Sequence, residues 1–296
     1  MEYTCLSSTS SLMRTCAMVV EHVLAFVQPM HCQWKAFLHW FNNRSVRIAS
    51  IVSQAVQLMH CSLNRDDCMK VLIVGAGLVA YGCAYAAFQD GYKVQVADHS
   101  IEFGLPNMWP SILLERDSIP LSFSTDQNFE GSNNSFRHEW IMKGMSIELA
   151  RLGVEYLHRT RVVSSIQDSK GFFVELIGGG QQNGVFEYDK VIDTTQDTWI
   201  PWAKPHNISE VSSKYHVDRE EAVGYVHLQS KTSDFSNAIY RIDRHDGLSE
   251  SWYQGDHTTT NRKVIEIIST MLPVNHALWD CSVRFQTGMK LWSDTK

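Results

Sequence analysis

No stretch of the chain is both long and uninterrupted enough to span a bilayer. The most apolar segment, Cys16 to Met30, is broken by Glu21 and His22 and preceded by Arg14, short of the ~20 apolar residues a membrane helix requires. No integral membrane span is therefore expected. Runs of lysine and arginine are missing too, and 26 basic against 32 acidic side chains leave a net charge of -6. That is the wrong sign for a broad phosphate-binding footprint, so nucleic acid is not an expected partner. The seven cysteines (Cys5, Cys16, Cys32, Cys61, Cys68, Cys83, Cys281) form neither a Cys-x-x-Cys pair nor a regular framework, which predicts a reducing, cytoplasmic setting. His31-Cys32 and His60-Cys61 lack the closely spaced ligand pairs of structural zinc sites, and no metal is expected. Gly-x-Ser-x-Gly, Walker and His-Glu-x-x-His motifs are absent, which removes the common hydrolase, P-loop and zincin chemistries. His99, His138 and His158 show no partner pattern that marks a general base, so catalytic residues stay unassigned.

What is present is enough apolar material, 44% of 296 residues, for one large or two ordinary globular domains. Residues 1–68 differ from the rest. They hold only four acids (Glu2, Glu21, Asp66, Asp67) and five of the seven cysteines. They show no compact signal-peptide pattern. A targeting or amphipathic surface helix, a loosely ordered extension, and an upstream translation artefact are all compatible with this segment. Met69-Lys70 stands directly before the first core strand.

From Met69 to Asp98 the pattern is specific. Lys70 to Val74 is a short, β-branched apolar run, as expected of a parallel strand covered on both faces. Gly75-Ala76-Gly77-Leu78-Val79-Ala80 follows, then a helical stretch to Gln89 with Ala84 and Ala87 at helical spacing, stopped by Asp90-Gly91. Val94 to Ala97 reads as a second strand ending at Asp98, 23 residues after Gly75. In such a unit Gly75 permits the tight turn, Gly77 lets backbone approach a pyrophosphate, and the small Ala80 lets helix and strand meet. The helix N-terminus would supply N–H groups and a positive dipole end to the phosphates. Asp98 stands where a carboxylate accepts hydrogen bonds from ribose hydroxyls and repels a 2′-phosphate.

Gly75, Gly77, Ala80, Ala84, Ala87, Gly91, Val94 and Asp98 together resemble the extended signature GxGxxGxxxAxxLxxxGxxVxxxE of FAD proteins of the glutathione-reductase-like class. The resemblance continues in the order of elements to Thr195. A helix is expected from Trp140 to Leu152, then strands at Val154–Leu157, Val162–Ile166 and Phe172–Ile177, a hairpin partner at Val185–Tyr188, and a strand from Asp189 to Thr195. It implies an α/β fold, a Rossmann-like FAD/NAD(P)-binding parallel sheet with a smaller antiparallel β substrate domain. The implied division is an extension at 1–68, a nucleotide-binding domain at 69–200, and an abbreviated substrate region at 201–296. It also implies FAD as cofactor, with NAD the alternative. The implied contacts are Gly75, Ala76, Gly77, Leu78, Val79, Ala80, Asp98 and its neighbour His99, Val163 near the adenine, and Thr194 and Thr195 beside the dinucleotide; Arg116 could reach a phosphate or the adenosine, or form a surface salt bridge.

The chain departs from this family in three places. Gln196 replaces the glycine expected after Thr194-Thr195. The late Gly-Asp that holds the ribityl chain has only Gly255-Asp256 as a candidate, before an expected helix from Asn261 to Leu272, and Asp256 reads equally as a turn acid. Ser249 to Tyr253 makes a poor buried parallel strand. Trp199-Ile200-Pro201-Trp202 faintly resembles a flavin-dependent halogenase motif, although an aromatic loop packing on the sheet explains it as well. Phe103 to Pro110 is irregular backbone where related proteins bend a loop over the cofactor. Strands at Ala222–Gln229 and Asn237–Asp243 suggest the antiparallel sheet. Three functions stay open: an FAD-dependent oxidoreductase of the monooxygenase, halogenase or lycopene-cyclase branch acting on a small molecule, an NAD-dependent dehydrogenase, and a catalytically silent dinucleotide-binding protein.

Overall fold

The computed structural model describes residues 69–102, 108–120, 138–179, 183–198, 203–244, 246–255 and 263–296. Strand β1 (Lys70–Val74) is buried from Val71 onward, turns at Gly75 into helix α1 (Leu78–Gln89), and returns through β2 (Lys93–Ala97). Gly75 holds φ +104°, a left-handed value that favours glycine. Its N–H donates to Ala97 O at 2.9 Å, tying the turn to the end of β2. The two strands are parallel and in register from Lys70 opposite Lys93 to Val74 opposite Ala97. With helices against such a sheet, unbroken apolar sequence is what its central strand needs.

Helix α2 (His138–Leu152) buries Ile141, Met142, Met145 and Leu149, one face at helical spacing. It leads through Gly153 (φ +113°) to β3 (Glu155–Leu157). Strands β4 (Arg161–Gln167), β5 (Phe172–Ile177) and β6 (Gly184–Tyr188) form an antiparallel meander, and β7 (Lys190–Asp193) rejoins the main sheet beside β1. With the short β8 (Ser213–Lys214), the sheet runs β3-β2-β1-β7-β8, every pair parallel.

The second sheet is antiparallel, in the order β10 (Tyr240–Asp243), β11 (Leu248–Gln254), β9 (Arg219–Leu228), β12 (Val264–Pro273). One expectation needs correction here. The helix expected from Asn261 to Leu272 is strand over its described part: Val264, Ile267, Ile268 and Thr270 are β-branched and pair with β9, with Ile265 at a bulge between Val264 and Glu266. Ser249 to Tyr253, a poor parallel strand, is an interior antiparallel strand whose five residues are all buried, with Ser249 opposite His227 and Trp252 opposite Gly224. Its polar side chains are hydrogen-bonded across the sheet, as burial demands.

The chain closes with α3 (Cys281–Ser293), which the sequence did not announce. It begins at Asp280, whose carboxylate accepts from Ser282 N–H at 2.8 Å. It crosses α1 at a pair of glycines: a Cβ on Gly82 would lie 1.9 Å from Phe285 O, and one on Gly288 2.0 Å from Val79 O. Cys83 Sγ donates to Gly288 O at 3.0 Å across the same contact. No side chain larger than hydrogen fits at either position. Gly288→Val is expected to lower Tm by roughly 5–10 °C, the effect of an overpacked core. A scanning-calorimetry shift under about 2 °C would show that the helices part without cost.

Candidate functional site

The glycine turn and the end of β2 stand together at the carboxyl edge of the parallel sheet, where ligands bind in open α/β folds. The first question is what faces the turn. Strand β7 ends at Asp193, whose Oδ1 accepts from Thr195 N–H (3.0 Å) and Thr195 Oγ1 (2.6 Å), bending the chain into a short 3₁₀ turn at Thr195–Asp197. Thr194 N–H and Oγ1 both donate to Val74 O at 2.9 Å. Thr194 and Thr195 are thus spent on holding their own turn. That turn delivers Asp197 onto Gly77.

The Asp197 carboxylate lies where a Cβ of Gly77 would stand, 1.9 Å from its ideal position to Oδ2, and accepts from Val79 N–H at 3.0 Å. An unpaired N–H and the positive end of a helix dipole favour an anion, and here the chain supplies it. Arg284 of α3 clamps the same carboxylate, Nε to Oδ1 and Nη2 to Oδ2, each at 3.0 Å, and both side chains are only 1% exposed. The Arg284 guanidinium lies 3.4 Å above the Trp109 ring centroid, and its Nη1 donates to His138 Nε2 at 3.3 Å. His138 is buried; burial first, then the Arg284 charge, lowers its pKa well below the ordinary histidine value, so it is neutral with its proton on Nδ1. Arg219 completes the group, with its guanidinium 5.3 Å from the Trp109 ring centroid and donating to Met271 O (2.9 Å) and Gln196 O.

At the other end, Asp98 is buried and its Oδ2 accepts from Ser100 N–H (3.0 Å) and Ser100 Oγ. Burial alone would raise its pKa, but His206 and Ser100 outweigh that and hold it below the ordinary carboxylate value. His206 Nε2 lies 3.9 Å from Asp98 Oδ1, and the His99 and His206 rings are 3.9 Å apart between centroids. Asp98, His99 and His206 bring potential metal-ligating atoms within 4.8 Å of one another. The His206 tautomer argues against that use: its Nδ1 accepts from Val162 N–H at 3.0 Å, so the proton sits on Nε2 and no lone pair is left for a cation. The buried Nε2–H has no hydrogen-bond partner. A hydroxyl set to one side of the two atoms could accept from Nε2–H and donate to Asp98 Oδ1, as a ribose hydroxyl can.

The residues therefore divide. Those around Asp98 suit a sugar hydroxyl, whereas those at the turn do not fit a pyrophosphate, because a carboxylate stands in the cradle and would repel it. Taken whole, this conformation does not fit a bound FAD or NAD. Ala76, Leu78, Val79 and Ala80 are buried beside the turn. The Val163 carbonyl is taken by Asn207 Nδ2 at 2.9 Å. Arg116 opens a short 3₁₀ turn, Arg116–Ser118. Asp256, the Trp199–Trp202 motif and residues 103–107 lie outside the described residues. Asp197, Arg284, Arg219 and His206 carry no motif; the one sequence signal was the unusual Gln196 just before Asp197.

No family model and no curated protein matches the sequence. Solved structures do. A geranylgeranyl bacteriochlorophyll reductase-like protein from Thermoplasma acidophilum superposes with TM-score 0.53 at 12% identity, over 77% of this chain and 78% of its own. A flavoprotein/dehydrogenase from Cytophaga hutchinsonii gives 0.50 at 12% identity, over 77% and 78%. The halogenase PltM gives 0.50 at 9% identity, over 77% and 68%. At such identities the likeness is one of fold alone: a mixed α/β chain with a five-stranded parallel sheet and antiparallel sheets.

Proposed function

We propose that the chain is a member of the FAD-dependent oxidoreductase architecture whose dinucleotide groove is closed by its own side chains, leaving it catalytically silent in this conformation. One observation carries the reading: the N–H of Val79, placed to meet a pyrophosphate, is taken by Asp197 Oδ2 at 3.0 Å, and that carboxylate is locked by Arg284 on its far side. A phosphate entering here would have to expel a buried, bidentate ion pair and then face its acid. The test is direct. The purified 296-residue chain is expected to be colourless and to bind FAD, NADH and ADP more weakly than about 1 mM, the range of a few kcal/mol of contact. A protein that purifies yellow, or titrates FAD at micromolar concentration, overturns the proposal.

A second reading is favoured by Asp98 and His206, whose Oδ1 acceptor and unpartnered Nε2–H donor lie 3.9 Å apart and could both serve one hydroxyl placed beside them. In that reading the chain is an FAD-dependent oxidoreductase, monooxygenase- or halogenase-like, acting on a small organic substrate, and the Asp197 turn swings away when FAD binds. The flavin would supply the redox chemistry, with Gly75 to Ala80 and Asp98 positioning its adenosine diphosphate end. The NAD alternative shares the same turn but brings no acid or base for hydride transfer. The cytoplasmic reading rests on seven widely spaced cysteines without a Cys-x-x-Cys pair or regular framework. No described helix is long and apolar enough to cross a membrane.

A further inference from the structure

Asparagine is followed by glycine once in the chain, at Asn183-Gly184, and aspartate twice, at Asp90-Gly91 and Asp246-Gly247. At such pairs the next backbone nitrogen can close a ring on the side-chain carbonyl carbon, because glycine has no Cβ in the way. The surroundings separate the three pairs. Asp90 Oδ2 lies 2.7 Å from Lys296 Nζ and accepts from Trp292 Nε1, and Gly91 N–H already donates to Phe88 O at 2.9 Å. Asp246 is ion-paired with Arg244. A carboxylate keeps its charge at neutral pH and so resists a nucleophile. Asn183 is instead a neutral amide, exposed, with its Oδ1 accepting from Gly178 N–H at 2.9 Å. A donor on that oxygen draws charge away from Cγ and makes the carbon a better electrophile. Gly184 is also exposed and opens β6, the edge strand of the meander. It holds φ +128°, and a Cβ built on it would meet no atom within 4 Å, so the peptide has room for the ring.

We infer that Asn183 is a modification site, where the folded chain deamidates spontaneously to aspartate and isoaspartate through a succinimide closed by the Gly184 nitrogen. The Gly184 nitrogen gives up its proton and bonds to Asn183 Cγ; the Cγ–Nδ2 bond breaks and ammonia leaves. Water then opens the succinimide at either carbonyl. Opening at one returns an ordinary aspartate, which still offers an oxygen to Gly178 N–H. Opening at the other gives isoaspartate, which adds a methylene to the backbone just ahead of β6 and disturbs the pairing of Gly184 with Leu176. Either product adds one carboxylate and takes the net charge from -6 to -7. The step needs only water, and it is independent of whether the groove is open or closed.

The test ages the full chain in mildly alkaline buffer beside a synthetic peptide of residues 171–190, with tryptic digestion of the chain and mass spectrometry of both. The fragment Gly171–Lys190 holds Asn183 as its one asparagine. From the folded chain it is expected to gain about 1 Da, as an amide becomes an acid, at a rate within about tenfold of the free peptide. Chromatography should resolve the two isomeric products, and the rate should fall in mildly acidic buffer, where the attacking nitrogen keeps its proton. In Asn183→Gln the ring would be larger, and the gain in that fragment should slow by at least about tenfold. A folded chain that lags the peptide by more than about tenfold overturns the inference. So does faster deamidation at any other asparagine, or a gain that Asn183→Gln leaves unchanged. The comparison of chain with peptide needs no variant, so it stands whether or not Asn183→Gln folds.

Discussion

Arg284→Ala is expected to destabilise the folded chain by about 3–5 kcal/mol, the range found when one partner of a buried ion pair is removed. The Asp197 carboxylate would stay 1% exposed with Val79 N–H as its hydrogen-bond donor. The Trp109 ring would lose the cation lying 3.4 Å above it, a contact worth up to about 2 kcal/mol when desolvated. Arg219 is close enough to soften the loss by its charge. Most of the effect should therefore come from an uncompensated charge, not from missing contact area. Asp197→Asn/Arg284→Met separates the two: removing both charges should recover the greater part of the loss, and the double-mutant cycle should give a coupling of at least about 2 kcal/mol. Urea midpoints of the four proteins settle it. A single-mutant loss below about 1 kcal/mol would mean that the pair is solvated, and the closed groove would lose its support.

The second large effect is expected away from the groove. Glu250→Ala should cost about 3–4 kcal/mol. This carboxylate is buried in the antiparallel sheet and accepts from four donors: Ser111 Oγ (2.8 Å), Trp252 Nε1 (2.9 Å), Arg244 Nη1 (3.2 Å) and Ser111 N–H (3.3 Å). Arg244 keeps Asp246 as a partner after the change, so the charge itself is not stranded. Trp252 and Ser111 are, each at the ~1–3 kcal/mol of a buried donor left unsatisfied, and a cavity is added. Because Ser111 belongs to the segment that carries Trp109, the near-ultraviolet circular dichroism should weaken along with stability. A loss under about 1 kcal/mol, with the aromatic signal intact, would show that water replaces the carboxylate.

The elements from Met69 to Thr195 were legible because each is made of neighbours in sequence. Apolar runs, glycines at the turn and Asp98 at the end of β2 all fall within about 30 residues, where periodicity and turn chemistry act. Val264 to Pro273 was misread because a short apolar run with Ile at several spacings suits helix or strand until its partner is known. Pairing with β9 decided for strand. Helix α3 gave no warning, since its fit to α1 depends on Gly82 meeting Phe285 and Gly288 meeting Val79, a match of two distant surfaces.

The sequence by itself determined that a parallel βαβ unit would form, that its turn would leave helix N–H groups facing outward, and that Asp98 would stand beside them. Only the tertiary structure decided what meets those groups. Asp197 lies 118 residues from Val79 and Arg284 another 87 beyond. Which charges neutralise one another in a water-poor space is set by how the β7 turn and α3 converge on that space, and local spacing carries no trace of it.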